Sequence, residues 1–255
     1  MELNKIHNES CFETMKKIDN NSINIILTSP PYNTSRTGRK DKYSTRYNGF
    51  NDNKTDEEYI KWTIELFNNY NNILKKNGCV LYNLSYSSET PDLIRRVIGK
   101  IIEETNFTTA DRIIWKKKSA IPNNVSKNKL TRIIEYIFVF CRKDELNTFN
   151  CNKKVKNINE RTKQKYYENV FNYIEAPNND GSNDLNKSTY SSELCKKLLD
   201  IYADDNYIIY DSFLGTGTTA IGCLKTNCYY IGSEISKEQC EYAENRIHNF
   251  IENNK

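Results

Sequence analysis

Apolar residues in this chain come in short continuous runs separated by long polar stretches. Ile23-Asn24-Ile25-Ile26-Leu27 is β-branched and scarcely alternates, the pattern of a strand covered on both faces in a parallel sheet. Tyr207-Ile208-Ile209-Tyr210 and Tyr229-Tyr230-Ile231-Gly232 are runs of the same kind. Further strands are predicted over Leu3–His7 and Cys79–Ser85 and at the runs near Ile113 and Ile133. Between them the period lengthens, and helices are expected over Cys11–Ile18, Leu93–Ile102, Ser191–Tyr202 and Ser236–Ile251, the last with Ala243, Ile247 and Phe250 on one face. Thr55-Asp56-Glu57-Glu58 reads as a capping box. It opens a helix whose core face would hold Ile60, Ile64, Phe67 and Leu74 and whose end is expected at Asn77-Gly78. Strands alternating with helices predict an α/β domain built on a mostly parallel sheet.

Two strand ends carry unusual chemistry. The first strand runs into Thr28-Ser29-Pro30-Pro31-Tyr32, and ligands of open α/β sheets sit at that edge. Tandem prolines hold the chain extended and leave carbonyls that no ladder claims. A flat base could stack on Tyr32 while its exocyclic amine donates to the Ser29 hydroxyl and the Pro30 carbonyl. A proline-rich turn with no ligand is the plainer alternative. Residues 34–54 follow without a clear period. A loop this long beside a base pocket is expected to contact DNA, through Arg36, Arg39, Lys40, Lys42 and Arg46.

The second strand end is Asp211-Ser212-Phe213-Leu214-Gly215-Thr216-Gly217-Thr218-Thr219-Ala220, a glycine-rich turn opening a helix. Its glycines let backbone approach a ligand closely. The next strand stops at Ser233-Glu234, where an acid is placed to take the two hydroxyls of a ribose. For Asp211 a turn or cap acceptor is the competing role.

Together these blocks resemble the amino-group (N4-cytosine/N6-adenine) DNA methyltransferases of the β-type motif order, in which the acceptor-base motif precedes the cofactor motif. Glu9-Ser10-Cys11-Phe12-Glu13 resembles that family's opening block, and Gly78-Cys79-Val80-Leu81-Tyr82-Asn83 its strand behind the active site. Arg112-Ile113-Ile114-Trp115-Lys116 and Glu135-Tyr136-Ile137-Phe138-Val139-Phe140 resemble its final hairpin. The chain departs from the pattern in having Asp211-Ser212-Phe213 for Asp-Pro-Phe, Ser10 where an Asp is common, and Lys187-Ser188-Thr189-Tyr190 for a block with His and Phe-Pro.

The resemblance implies a single catalytic domain over 1–255, of the circularly permuted Rossmann-like class I methyltransferase fold. Its sheet would be mostly parallel with helices on both faces, and 142–186 would be an inserted target-recognition segment. S-adenosyl-L-methionine would be the cofactor, with Phe213, Gly215 and Gly217 along its methionine portion and Asp211 near its amino end. Thr218 and Ser10 would border it, and Glu234 would hold the ribose. Ser29, Pro30, Pro31 and Tyr32 would form the catalytic corner. Double-stranded DNA would be the substrate, with a cognate restriction endonuclease and a homodimer as conceivable partners. Serine at the first motif position tips the choice toward cytosine N4, with adenine N6 as the alternative.

Composition narrows this little. The net charge is +4 over 255 residues, a weak pointer to nucleic acid, and the cluster Lys153, Lys154, Lys156, Arg161, Lys163 and Lys165 is equally a solvated surface. Eight cysteines without a C-x-x-C pair and only two histidines, His7 and His248, indicate reduced thiols, no metal site and a cytoplasmic setting. No run is long enough to cross a bilayer. Carbon-5 cytosine methylation is disfavoured because no proline is followed by cysteine. Gly215-x-Gly217-x-x-Ala220 with Glu234 also fits a dinucleotide-dependent oxidoreductase, though little chain follows for its usual nucleotide half. A DNA-binding module that has lost transfer is the non-enzymatic alternative.

Overall fold

The computed structural model describes residues 1–33, 54–86, 90–120, 122–181, 185 and 189–254. The strands in chain order are β1 (Lys5–His7), β2 (Ile23–Thr28), β3 (Leu74–Leu84), β4 (Phe107–Lys117), β5 (Ile134–Arg142), β6 (Val155–Ile158), β7 (Lys165–Tyr167), β8 (Tyr173–Ala176), β9 (Ile208–Asp211) and β10 (Tyr229–Ser233). The helices are α1 (Cys11–Lys17), α2 (Asp56–Ile73), α3 (Leu93–Glu104), α4 (Ser192–Tyr202), α5 (Thr218–Leu224) and α6 (Lys237–Glu252).

Eight strands form one sheet in the order β1-β10-β9-β2-β3-β5-β4-β8. Its pairings are parallel except that β5 runs against both β3 and β4. Strand residues alternate between two cores. Ile25, Leu27, Cys79, Leu81, Ile137, Val139 and Ile209 pack with α4, α5 and α6. Ile26, Val80, Tyr82, Phe138, Phe140 and Tyr210 pack with α1, α2 and α3. Burial on both faces explains the unbroken apolar runs, and Phe67 sits edge-on to Tyr70, Tyr82, Phe107 and Phe140 at the centre of the second core.

Two elements differ from expectation. Helix α2 begins with the complete Thr55/Glu58 capping box but ends at Ile73, and Leu74 already starts β3. No glycine cap is used. Instead the Arg142 guanidinium, reaching from β5, donates to the carbonyls of Asn71 (2.8 Å), Leu74 (2.6 Å) and Lys75 (3.0 Å), satisfying acceptors that a helix end leaves open. Asn77 and Gly78 lie inside β3, and a Cβ at Gly78 would stand 2.6 Å from the Asn24 carbonyl oxygen. This glycine serves close strand approach.

Segment 142–186 carries three strands of its own. The strand β8 joins the main sheet beside β4, burying Ile174 and Ala176, and Trp115 Nε1 donates to the Ala176 carbonyl at 3.2 Å. The β6–β7 hairpin is exposed throughout. Among the described residues no helix is long and apolar enough to cross a membrane.

Candidate active site

Strands β2 and β9 are neighbours, with Ile26 in register with Tyr210, so the two blocks that are far apart in sequence end side by side. Asp211 ties them together. It is fully buried and accepts from Thr28 Oγ1 (2.7 Å), Phe213 N (3.0 Å), Thr219 Oγ1 (2.5 Å) and Tyr190 OH (3.1 Å). Burial pushes its carboxyl above the ordinary carboxylate range, and those four donors pull against that shift. Asp211 does not line the cavity described next. Its bonds bind β2, the glycine-rich turn and α5 into one unit, a structural duty beside the cofactor contact expected from sequence.

A cavity of about 1260 Å³ runs along this sheet edge. At one end it is lined by Ser10, Phe213, Gly215, Thr216, Thr218, Glu234 and Gln239. Glu234, largely buried, accepts from Gly215 N at 2.9 Å and from Ser236 N at 2.8 Å. Burial raises its carboxyl too, opposed by these backbone donors. Gly215 at φ 55° and Gly217 at φ 82° adopt the left-handed conformation that glycine permits. Gly217 lies off the cavity as the N-cap of α5, facing Ala243. Ser10 lines the cavity but its hydroxyl also caps α1, accepting from Glu13 N at 3.3 Å. Thr218 Oγ1 accepts from Arg246 at 3.0 Å, a residue to which the sequence reading gave no role. Trp62 lines the wall and its ring sits 5.6 Å from that of Phe213.

The other end holds Ser29, Pro30, Pro31 and Tyr32. The Pro31 carbonyl is fixed by Tyr59 OH at 2.7 Å. Ser29 Oγ is 3.1 Å from Tyr32 OH. Asn83, from β3, donates to Tyr32 OH at 2.8 Å and to Glu135 Oε2 at 3.1 Å. Asn83 and Glu135 stand at the end of one block and the start of another in the sequence, but no role was read for them. Asn33, at φ 55°, clasps Lys54 through two 2.8 Å hydrogen bonds, bringing together two residues 21 positions apart. The expected DNA contacts Arg36, Arg39, Lys40, Lys42 and Arg46 lie outside the described residues.

A nucleoside with a charged tail fits the first end on the chemistry of its lining. Glu234 offers a buried acceptor, and Thr216 Oγ1 is buried without a hydrogen-bond partner. At the base end Asn83 Oδ1 is in the same condition. Unpaired buried polar atoms of this kind are uncommon unless a ligand or water meets them. Among the described residues no group of three His, Cys, Asp or Glu side chains is arranged to hold a metal ion.

Such a layout is that of a nucleoside-binding α/β enzyme whose cavity continues from the nucleoside end to a second polar corner. Residues 23–245 match the N6/N4 DNA methylase family, and the chain belongs to that family of amino-group DNA methyltransferases. Type II methyltransferase M.BglII of Bacillus subtilis is 25% identical over 261 residues, 94% of this chain and 68% of the relative. Orphan methyltransferase M.BamHII of Bacillus amyloliquefaciens is 27% identical, covering 90% of each chain. In fold, the chain resembles PvuII DNA methyltransferase (cytosine-N4-specific) with a TM-score of 0.72 at 15% identity, covering 98% of this chain and 92% of that one. It also resembles a DNA modification methylase of Thermus thermophilus complexed with S-adenosyl-L-methionine, with a TM-score of 0.63 at 16% identity over 96% and 95% of the two chains.

Proposed function

We propose that this protein methylates N4 of cytosine in double-stranded DNA, using S-adenosyl-L-methionine, at a base rotated out of the helix. One observation carries the reading: Glu234 at the nucleoside end and Ser29 at the base end line a single continuous cavity. The cofactor supplies a methyl group already activated on a sulfonium centre. Glu234 is placed to hold ribose hydroxyls, with Phe213, Gly215, Thr218 and Ser10 along the rest. The target amine is a poor nucleophile because its lone pair is delocalised into the ring. Ser29 Oγ and the Pro30 carbonyl, accepting its two N–H bonds, draw the nitrogen toward tetrahedral geometry and free that pair. Tyr32 stacks on the base, a contribution of about 1–3 kcal/mol by analogy with single-strand binders. Rotation of the base is needed because the amine is otherwise paired inside the duplex.

Serine at the first motif position supports cytosine, as does the likeness in fold to a cytosine-N4-specific enzyme. Residues 34–54, with their arginines and lysines, are assigned to the DNA backbone, and the exposed part of 142–186 to the recognition sequence. The reading places the protein in the cytoplasm with its DNA, and a matching restriction endonuclease is the partner to look for beside it. Incubation of duplex DNA with methyl-labelled cofactor, followed by nucleoside analysis, tests the proposal. N4-methylcytosine is expected, with loss of about 10²–10³-fold in rate for Ser29→Ala. N6-methyladenine would replace the cytosine assignment with its alternative, and no incorporation into DNA would overturn the reading. Cofactor titration against NAD separates the oxidoreductase alternative.

A further inference from the structure

A charged cluster lies under the base end of the cavity. Lys117 of β4, Glu135 of β5 and Asn83 of β3 come from three adjacent strands, and all line the cavity. Tyr32 OH donates to Glu135 Oε2 at 3.2 Å, and Ser29 Oγ is 3.1 Å from the same Tyr32 hydroxyl. The other oxygen of Glu135 pairs with Lys117 Nζ, an ammonium 5.1 Å from the Trp115 ring centre. Asn83 Nδ2 bridges Tyr32 OH and Glu135 Oε2, holding both in place. The result is an unbroken line of hydroxyl, hydroxyl and carboxylate leading away from Ser29. Both charged side chains are mostly shielded from solvent, at 23% and 13% exposure, and burying such a pair adds little to stability. A functional duty accounts for it better.

We propose that Glu135 is the acceptor for the proton released on methyl transfer, reached from Ser29 through the Tyr32 hydroxyl. This rests on the reading that Ser29 receives the target amine. In the transfer, the amine lone pair forms the new N–C bond while the electron pair of the broken S–C bond stays on sulfur. The nitrogen is left with one proton too many and a positive charge. That proton passes to Ser29 Oγ, the Ser29 hydroxyl proton passes to Tyr32, and the Tyr32 hydroxyl proton passes to Glu135 Oε2. Serine and tyrosine end neutral as they began, and the carboxylate becomes a carboxylic acid. A protonated amine on an aromatic ring is a far stronger acid than a carboxylic acid, so even a weak base suffices. Serine alone cannot store the proton, because its alkoxide and oxonium forms are both inaccessible near neutral pH. Lys117 neutralises the resting carboxylate and orients it. Tyr32 thereby does two things, stacking with its ring and conducting with its hydroxyl.

The test measures single-turnover methyl transfer to plasmid DNA carrying the modified site mapped in cells that express the protein. Glu135→Gln keeps the size of the side chain and removes its basicity. Tyr32→Phe keeps the stacking ring and removes the relay hydroxyl. Each should slow transfer by about 10²-fold, in line with general acid–base contributions, and the double variant should be little slower than either because both act on one line. Glu135→Asp should recover much of the rate, and added formate should restore Glu135→Ala, which a merely structural role would not allow. Affinities for S-adenosyl-L-methionine and for DNA, read by titration and fluorescence anisotropy, should stay within about threefold of wild type, a change of under about 1 kcal/mol. A Glu135→Gln rate within about threefold of wild type, or a slow variant set that neither Asp nor formate rescues, overturns the proposal. A wild-type protein that places no methyl group on DNA refutes the underlying reading instead.

Discussion

Removing the Asp211 carboxylate should destabilise the active-site edge, because four donors converge on this buried group. In Asp211→Ala, Tyr190 OH and Thr219 Oγ1 still bond to each other at 2.5 Å. Thr28 Oγ1 and Phe213 N, which bond Asp211 at 2.7 and 3.0 Å, lose that acceptor. The mutual bond uses one of the two hydroxyl protons, so three donors to the buried site lack an acceptor at roughly 1–3 kcal/mol each, and a loss of about 4–6 kcal/mol is expected. Asp211→Asn is a gentler change, because the two hydroxyls can reverse their bonds to accept from the new amide. Its cost should stay within about 1–2 kcal/mol. The sign with pH follows from burial. A carboxyl whose folded value is raised contributes stability that is full below its unfolded value and lost as pH rises through the folded one. Wild type should therefore gain on Asp211→Asn as pH falls from neutral. Urea unfolding followed by circular dichroism measures all three proteins across that range. Because Asp211 is off the cavity lining, Asp211→Asn should bind S-adenosyl-L-methionine almost as wild type does. An alanine variant that loses less than about 1 kcal/mol, or an asparagine variant that folds but cannot bind cofactor, would refute this account.

Other tests are simpler. Gly217→Ala forces a side chain at φ 82° and 3.0 Å from the Ala243 Cβ. The backbone alone should cost about 1–2 kcal/mol, and an unchanged melting temperature would contradict it. Arg142→Met strips the end of α2 of its donors and leaves buried Glu145, 3.4 Å away, unpaired. A loss of about 3–5 kcal/mol is expected in the same unfolding assay, and one below ~1 kcal/mol would mean that water caps the helix equally well. Of the eight cysteines, Cys151 alone is exposed, while burial pushes the Cys11 thiol up to about 12 and that of Cys240 to about 11. Iodoacetamide on the native protein should label Cys151 first by mass spectrometry, and rapid labelling of several thiols would show the core to be looser than described.

The doubly covered strands were legible because short, continuous, β-branched runs favour strands buried on both faces. Ile23–Thr28 and Ile208–Asp211 lie within a residue of expectation. Helix starts were legible where a side chain does the capping, as at Thr55 and Ser191. The end of α2 was not, because its cap is Arg142, distant in sequence and close only in the fold. Strand β8 was missed because Tyr173–Ala176 is too short to show a period. At the site, residues belonging to local motifs could be named from sequence alone. Asn83, Glu135 and Lys117 could not, since Asn83 and Glu135 are polar residues at the ends of apolar strands and Lys117 is one of three consecutive lysines, and only the fold brings them together. Asp211 shows what a motif position conceals: its bonds to Thr28, Tyr190, Thr219 and the Phe213 amide join residues that are distant in sequence.

The reversed direction of β5 has a consequence for how this enzyme fails. Its neighbours deliver their last residues to the cavity rim, whereas β5 delivers one of its first, Glu135, paired in register with Trp115. A slip of one position in that hairpin would turn Glu135 to the opposite layer and offer Ile134 or Tyr136 in its stead. A misthreaded copy would thus retain much of its greasy interior yet carry hydrocarbon or phenol where the chemistry asks for an anion, so methylation itself reports whether the hairpin has closed correctly.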